Sequence, residues 1–178
     1  MKRIFILLAL ISVLSFLSCK KDDNKTPDTN TVFVNKSPEG RKVVLEEFTG
    51  VKCGYCPDGH EIMKQIMNEN PGKAICFSIH GGTYSVPYAG DPDLTSPWAA
   101  AIISFSQLTG YPAGMVNRED LDNDGKLAIG RGSWKSHAAQ ILASGNSPVN
   151  IGIKSTFNSS SRLLTIKVQY YYTADGNG

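Results

Sequence analysis

Beyond its first 18 residues the sequence has no net charge to offer. Lys2 and Arg3 are the only charged residues in that leader, so 16 basic and 16 acidic residues remain out of 18 and 16 in the whole chain. A nucleic-acid surface shows itself as clustered basic residues, and no such cluster is present. A second long hydrophobic run is missing, and so is any internal repeat. No Ser-His-Asp pattern or phosphate-cradling glycine loop stands out. The stretch Asp120-Leu121-Asp122-Asn123-Asp124-Gly125 opens like a calcium loop, but its twelfth position, which should be a bidentate Glu, is Arg131. The same acids fall where a hairpin turn is expected, and the turn is the preferred reading. No metal site and no cofactor is expected.

What is there begins with export. Met1-Lys2-Arg3 is a short positive segment, and Ile4 to Leu17 is almost wholly apolar. That run is short for a membrane span, which needs about 20 residues, and it reads as a cleavable signal. Phe16-Leu17-Ser18-Cys19 resembles a bacterial lipobox, with Phe where Leu is usual. Cleavage before Cys19 and lipidation of its thiol follow from that resemblance; an ordinary signal peptide with a chance cysteine is the alternative. Each buried CH₂ of an acyl chain contributes about 0.8 kcal/mol to anchoring. Residues 20–31 are polar and cannot bury enough to order themselves, and residues 19–37 are read as a flexible tether. Lys20-Lys21-Asp22-Asp23 resembles the surface-export signal of some outer-membrane lipoproteins, although a solvated linker would look the same.

The chemistry candidate is Cys53-Gly54-Tyr55-Cys56, followed by Pro57. Upstream, Lys42 to Phe48 is β-branched and apolar, which predicts a buried strand. Downstream, Ile62, Met63, Ile66 and Met67 recur at helical spacing up to Asn70-Pro71-Gly72. The motif therefore sits where a strand turns into a helix. Unpaired N–H groups and the positive dipole end favour a thiolate there, and the thiolate is the attacking species in disulfide exchange.

Ala74 to Ile79 reads as a central buried strand. Ser96-Pro97 reads as a helix start, with Trp98, Ala101, Ile102, Phe105 and Leu108 inward and Gly110 at the end. Met115-Val116-Asn117 and Lys126 to Ile129 read as a hairpin across Asp124-Gly125. Ser133 would cap a last helix with Trp134, Ala138, Ile141 and Leu142 inward, ended by Gly145.

This order resembles the thioredoxin fold over roughly residues 40–146. Three features carry the resemblance: the CxxC at a strand-to-helix turn, Pro112 between a helix and a strand, and Glu47 six residues before Cys53. There are departures. Lys52 stands where the family has Trp, the dipeptide is Gly-Tyr rather than Gly-Pro, and Gly81 to Thr95 is an insertion that could border the site. With the leader, the chain looks similar to thioredoxin-like outer-membrane lipoproteins related to a 28-kilodalton outer-membrane protein.

The resemblance implies an α/β fold with a thioredoxin-like central sheet flanked by helices. It also implies roles. Cys53 would be the exposed nucleophile and Cys56 the more buried resolving thiol. Pro112, if cis, would pack across the pair and leave the Tyr111 backbone free for an extended substrate, with Tyr55 beside it. Glu47 would accept or relay the proton of Cys56; a charged residue at a strand end is its plainer reading. Cys76 is expected as a small core residue, although a disulfide to either motif cysteine stays open. A zinc set of Cys53, Cys56, His60 and His80 is disfavoured by the proline context. His60 is expected on the exposed helix face, and His137 has no evident partner.

Val149 to Phe157 and Leu164 to Tyr172 alternate around Asn158 to Ser161, which predicts a β-hairpin outside that core. An isolated hairpin is marginal in water. Either it packs on the first domain or the chain is the front of a longer protein; the second is preferred, so residues 147–178 are expected to open a further β-rich, sandwich-like region after a thioredoxin-like domain at 38–146. Two functions compete. The first is a thiol–disulfide oxidoreductase at the outer membrane, on its cell-surface or periplasmic face, acting on exported protein thiols and disulfides with a membrane or periplasmic thiol donor. The second is a non-catalytic cell-surface binding or adhesion lipoprotein on the same scaffold.

Overall fold

The computed structural model describes residues 31–174. The leader, Cys19 and most of the expected tether lie outside the described residues. The fold lies within the unit that begins at Val34.

Four strands form one mixed sheet: β1 (Val43–Thr49), β2 (Ala74–His80), β3 (Ala113–Val116) and β4 (Ala128–Gly130). Their order is β2-β1-β3-β4, with β1 parallel to β2 and the other pairs antiparallel. The parallel pair is joined by helix α1 (Cys56–Glu69), as a crossover requires. Helices α2 (Ala99–Ser106) and α3 (Trp134–Ala143) complete the layers. A separate two-stranded sheet pairs β5 (Val149–Asn158) with β6 (Leu163–Tyr172).

Strand β1 is buried along nearly its whole length because both its faces are covered. Val43 and Leu45 join Met63, Ile66, Val116, Ile129, Trp134, Ala138 and Ile141 on the side of α1 and α3. Phe48 joins Ile79, Ala99, Met115 and Ala128 on the side of α2. The period of two in the strand thus splits one apolar run between two cores. In α3 the predicted inward residues Trp134, Ala138 and Ile141 are buried.

Two expectations are corrected. Strand β2 is an edge strand, not a central one, and Ile75 on its outer side is 58% exposed. In α2 the inward stripe is Ala99, Ile102, Ile103 and Ser106, while Trp98 is 75% exposed and Phe105 is also exposed. The helix stops at Ser106 rather than at Gly110, because Gln107 takes the left-handed cap conformation (φ 57°).

β3 and β4 form the predicted hairpin, and Asp120 holds its connection by accepting the backbone N–H groups of Asp124 and Gly125. β5 and β6 pair as predicted, with Asn158 Oδ1 accepting the Ser160 and Ser161 amides at the turn. Their bodies leave Ile151, Ile153, Phe157, Leu164, Ile166, Val168 and Tyr170 exposed. Residues 34–37, expected as the end of a free tether, are tied to this hairpin. Asn150 Nδ2 donates to the carbonyls of Asn35 and Ser37, and Gln169 Oε1 accepts the Val34 amide.

Candidate functional site

Cys53 and Cys56 form a disulfide with their Cα atoms 5.4 Å apart. Strand β1 delivers the chain to this point. The Cys53 amide donates to the Gly50 carbonyl, and the Cys56 amide to that of Cys53, so the motif is one tight turn leading into α1. Pro57 follows at the start of the helix, where a missing N–H costs nothing. Cys53 is 8% exposed and Cys56 1%. Cys53, expected as the exposed thiol, is thus nearly covered in the disulfide form, and Cys56 more so. Cys76 forms no disulfide among the described residues. It packs beside the core under α1, and burial pushes its thiol up to about 11.

Glu47 lies fully buried on β1 with α1 above it. A Cβ added to Gly59 would come within 3.1 Å of Glu47 Oε1. Gly59 and Cys56 stand three residues apart on one helix face, so Glu47 lies beneath the face that carries Cys56. Glu47 Oε2 accepts the Ser78 hydroxyl at 2.6 Å and stands 3.1 Å from His60 Nε2. Its Oε1 has no hydrogen-bond partner among the described residues. Burial holds the carboxyl above its ordinary range, against the opposing pull of the Ser78 hydroxyl and of His60.

His60 corrects the expectation of a purely surface residue, since its ring reaches the buried carboxylate. Sequence periodicity offered no signal for this, because the partner comes from another strand. His137 likewise meets Asp122, at 3.1 Å.

Tyr111-Pro112 is a cis peptide, and Pro112 is buried. The β1–β3 ladder begins at Ala113, one residue beyond it. The Tyr111 hydroxyl donates to the Gly81 carbonyl at 2.9 Å, and its ring meets Tyr84 edge-on at 5.2 Å between centroids. Burial, with Tyr84 beside it, raises the phenol above its usual value. The Tyr111 side chain is thus engaged by the insertion. Tyr55 stands exposed at the helix entrance, with the Arg131 guanidinium 6.0 Å from its ring centroid.

The insertion Gly81 to Thr95 borders the site. Its turn Thr83–Ser85 rests on Gly50, three residues before Cys53. The Lys52 amide donates to the Tyr84 carbonyl at 2.9 Å, and the Lys52 ammonium lies 4.9 Å from the Tyr88 ring centroid. Buried Ser85 donates between the Thr49 and Gly81 carbonyls, both at 2.8 Å. Lys52, where the resembled family has Trp, therefore faces an aromatic residue supplied by the insertion.

No protein-family model matches the chain, and no curated protein matches it. Among solved structures, HBP35 of Porphyromonas gingivalis matches with a TM-score of 0.59 at 20% identity, over 80% of this chain and 46% of its own. The likeness is one of fold. A structural-genomics target from Agrobacterium tumefaciens matches with a TM-score of 0.46 at 20% identity, over 68% of this chain and 54% of its own. The chain thus spans about half the length of these two structures.

Among the described residues no group of three or more His, Cys, Asp and Glu gathers as a metal site. Of the four residues weighed as a zinc set, the two cysteines are bonded to each other and His60 faces Glu47. No helix among the described residues is long and apolar enough to cross a membrane.

Proposed function

We propose that the chain is a thiol–disulfide oxidoreductase of thioredoxin-like fold, held at the outer membrane by lipid on Cys19 and acting on exported proteins. The observation that carries this reading is the Cys53–Cys56 disulfide at the first turn of α1, with the sealed carboxyl of Glu47 beneath the same helix face. In the reduced protein, the helix N-terminus favours the Cys53 thiolate. That thiolate attacks a substrate disulfide and forms a mixed disulfide. Cys56 then gives its proton to Glu47 and attacks Cys53, which releases the substrate as a dithiol. A carboxyl with a raised pKa suits that acceptance. The resemblance adds Pro112 across the pair, with Tyr111 and Tyr55 beside an extended substrate. A membrane or periplasmic thiol donor would re-reduce the pair.

A second reading is favoured by one observation: one face of the β5–β6 hairpin exposes a continuous row of apolar side chains, Ile151, Ile153 and Phe157 beside Leu164, Val168 and Tyr170. Exposed apolar area of this kind marks interaction surfaces. On this reading the chain is a surface binding lipoprotein, and Cys53–Cys56 is a static clip.

The reduction potential of Cys53–Cys56, from equilibration with glutathione buffers, separates the two. A value between about −270 and −120 mV supports exchange. A value below about −300 mV marks a structural disulfide and moves the assignment to the binding module.

A further inference from the structure

Glu47 is sealed from water, yet a carboxyl that takes a proton in each catalytic cycle must also lose it. The groups packed against it are few. β3 presents Gly114 opposite Glu47, and α1 presents Gly59; neither has a polar side chain. α3 presents Trp134, whose indole N–H is committed to the Ile129 carbonyl at 3.1 Å. β2 presents the Ser78 hydroxyl, which does not titrate near neutrality. His80, two residues along β2, lies on the same face, but its Nδ1 is itself buried and has no hydrogen-bond partner among the described residues. Cys56 shares the helix face with Gly59. His60 remains. Its Nε2 lies 3.1 Å from Glu47 Oε2 and 3.4 Å from Thr49 Oγ1, and its side chain is 41% exposed. It spans from the sealed carboxylate to solvent, and imidazole exchanges protons readily near neutral pH.

We propose that His60 is a positioning residue for the exchange reaction, carrying the proton of Glu47 to and from water. The inference rests on the oxidoreductase reading. In the resolving step the Cys56 S–H bond breaks and its proton goes to Glu47. The electron pair left on sulfur forms the Cys53–Cys56 bond. The Cys53–substrate bond breaks, with its electrons on the substrate sulfur, which is protonated from solvent. The proton on Glu47 then leaves through His60. The dithiol is oxidised, the substrate disulfide is reduced, and Glu47 and His60 end unchanged.

The test follows both half-steps on the reduced full chain with an aromatic disulfide that releases a coloured thiolate. The first release reports attack by Cys53, and the second reports resolution by Cys56. A Cys53→Ser/Cys56→Ser chain gives the background from other thiols. His60→Gln is expected to leave the first release unchanged and to slow the second by about tenfold at neutral pH. It should also alter the pH profile of the second release, and added imidazole should restore the rate. An unchanged second release in His60→Gln, beside a slowed one in Glu47→Gln, overturns the role of His60 and leaves the oxidoreductase reading standing. No second release in the unmodified chain overturns both. NMR of the unmodified chain needs no variant to fold. The Glu47 carboxyl carbon and the His60 ring nitrogens should change together with pH, and fully independent changes overturn the proposal.

Discussion

Gly59 lies across the carboxylate of Glu47. A Cβ on Gly59 would stand 3.1 Å from Glu47 Oε1 and 3.2 Å from Cη2 of Trp134. Both neighbours are fully buried, so neither can swing out into solvent without uncovering the core. Gly59→Ala gains about 1 kcal/mol of helix propensity and meets an overpacking cost of about 1–3 kcal/mol. The crowding wins, so the variant should lose about 1 kcal/mol, read as a lowered urea midpoint at unchanged slope. A variant more stable than the parent would mean that Glu47 and Trp134 yield easily.

Glu47 makes stability depend on pH in an unusual direction for a carboxylate. Burial raises its folded-state pKa above the ordinary 4.5. The folded state therefore holds the proton more tightly than the unfolded chain does, and stability contributed by this group is lost as pH rises from that ordinary value through the raised one. Glu47→Gln keeps an acceptor for Ser78 and removes the charge. Its unfolding free energy, relative to the parent, should improve as pH rises above 4.5 and level off once pH passes the raised folded-state pKa. A difference that stays constant over this range would show that the carboxyl is not desolvated.

Much of this arrangement was legible in the sequence, and the reasons differ by element. The β-branched run at Lys42–Phe48 and the helical spacing after Cys56 placed the disulfide at a strand-to-helix turn. α3 was legible because Lys135, Ser136 and Gln140 interrupt its apolar residues and so reveal its phase. α2 has no such interruption. Ala99-Ala100-Ala101-Ile102-Ile103 is apolar on every side, so the large Trp98 and Phe105 pointed to the wrong face. β2 looked central because Ile75 and Phe77 are apolar, and apolar composition cannot show that an edge strand leaves one face partly bare. His60 and the docking of Tyr84 on Gly50 depend on contacts between segments distant in the chain, which no local pattern records.

Cys76 should be a quiet thiol. Burial moves it from 9.0 to about 11, which cuts its thiolate fraction at pH 8 by about 100-fold, and the thiolate is the reacting form. Alkylation of the native chain at pH 8, mapped by mass spectrometry on the Cys76 peptide, should run about 100-fold slower than in denaturant. Equal rates would mean that the edge strand opens faster than the reagent attacks.

Gly50 tests how firmly the insertion borders the disulfide. A Cβ at this position would meet the carbonyl group of Tyr84 and come within 2.6 Å of the Ser85 nitrogen. These are backbone atoms, so no side-chain rotation relieves the clash. Ser85 resists displacement, since it is buried and donates to the Thr49 and Gly81 carbonyls. Gly50→Ala should therefore push the turn off rather than fit beneath it. The Lys52–Tyr84 hydrogen bond would break with it, and Tyr84 would leave the Tyr111 ring. The two cores under α1 and α2 do not include the turn, so they should survive. Limited proteolysis should then cut within residues 81–95 at least tenfold faster than in the parent, and the Lys52 amide should lose hydrogen-exchange protection. Cleavage at the parental rate would show that the turn and the strand end shift together, leaving the insertion seated beside the disulfide.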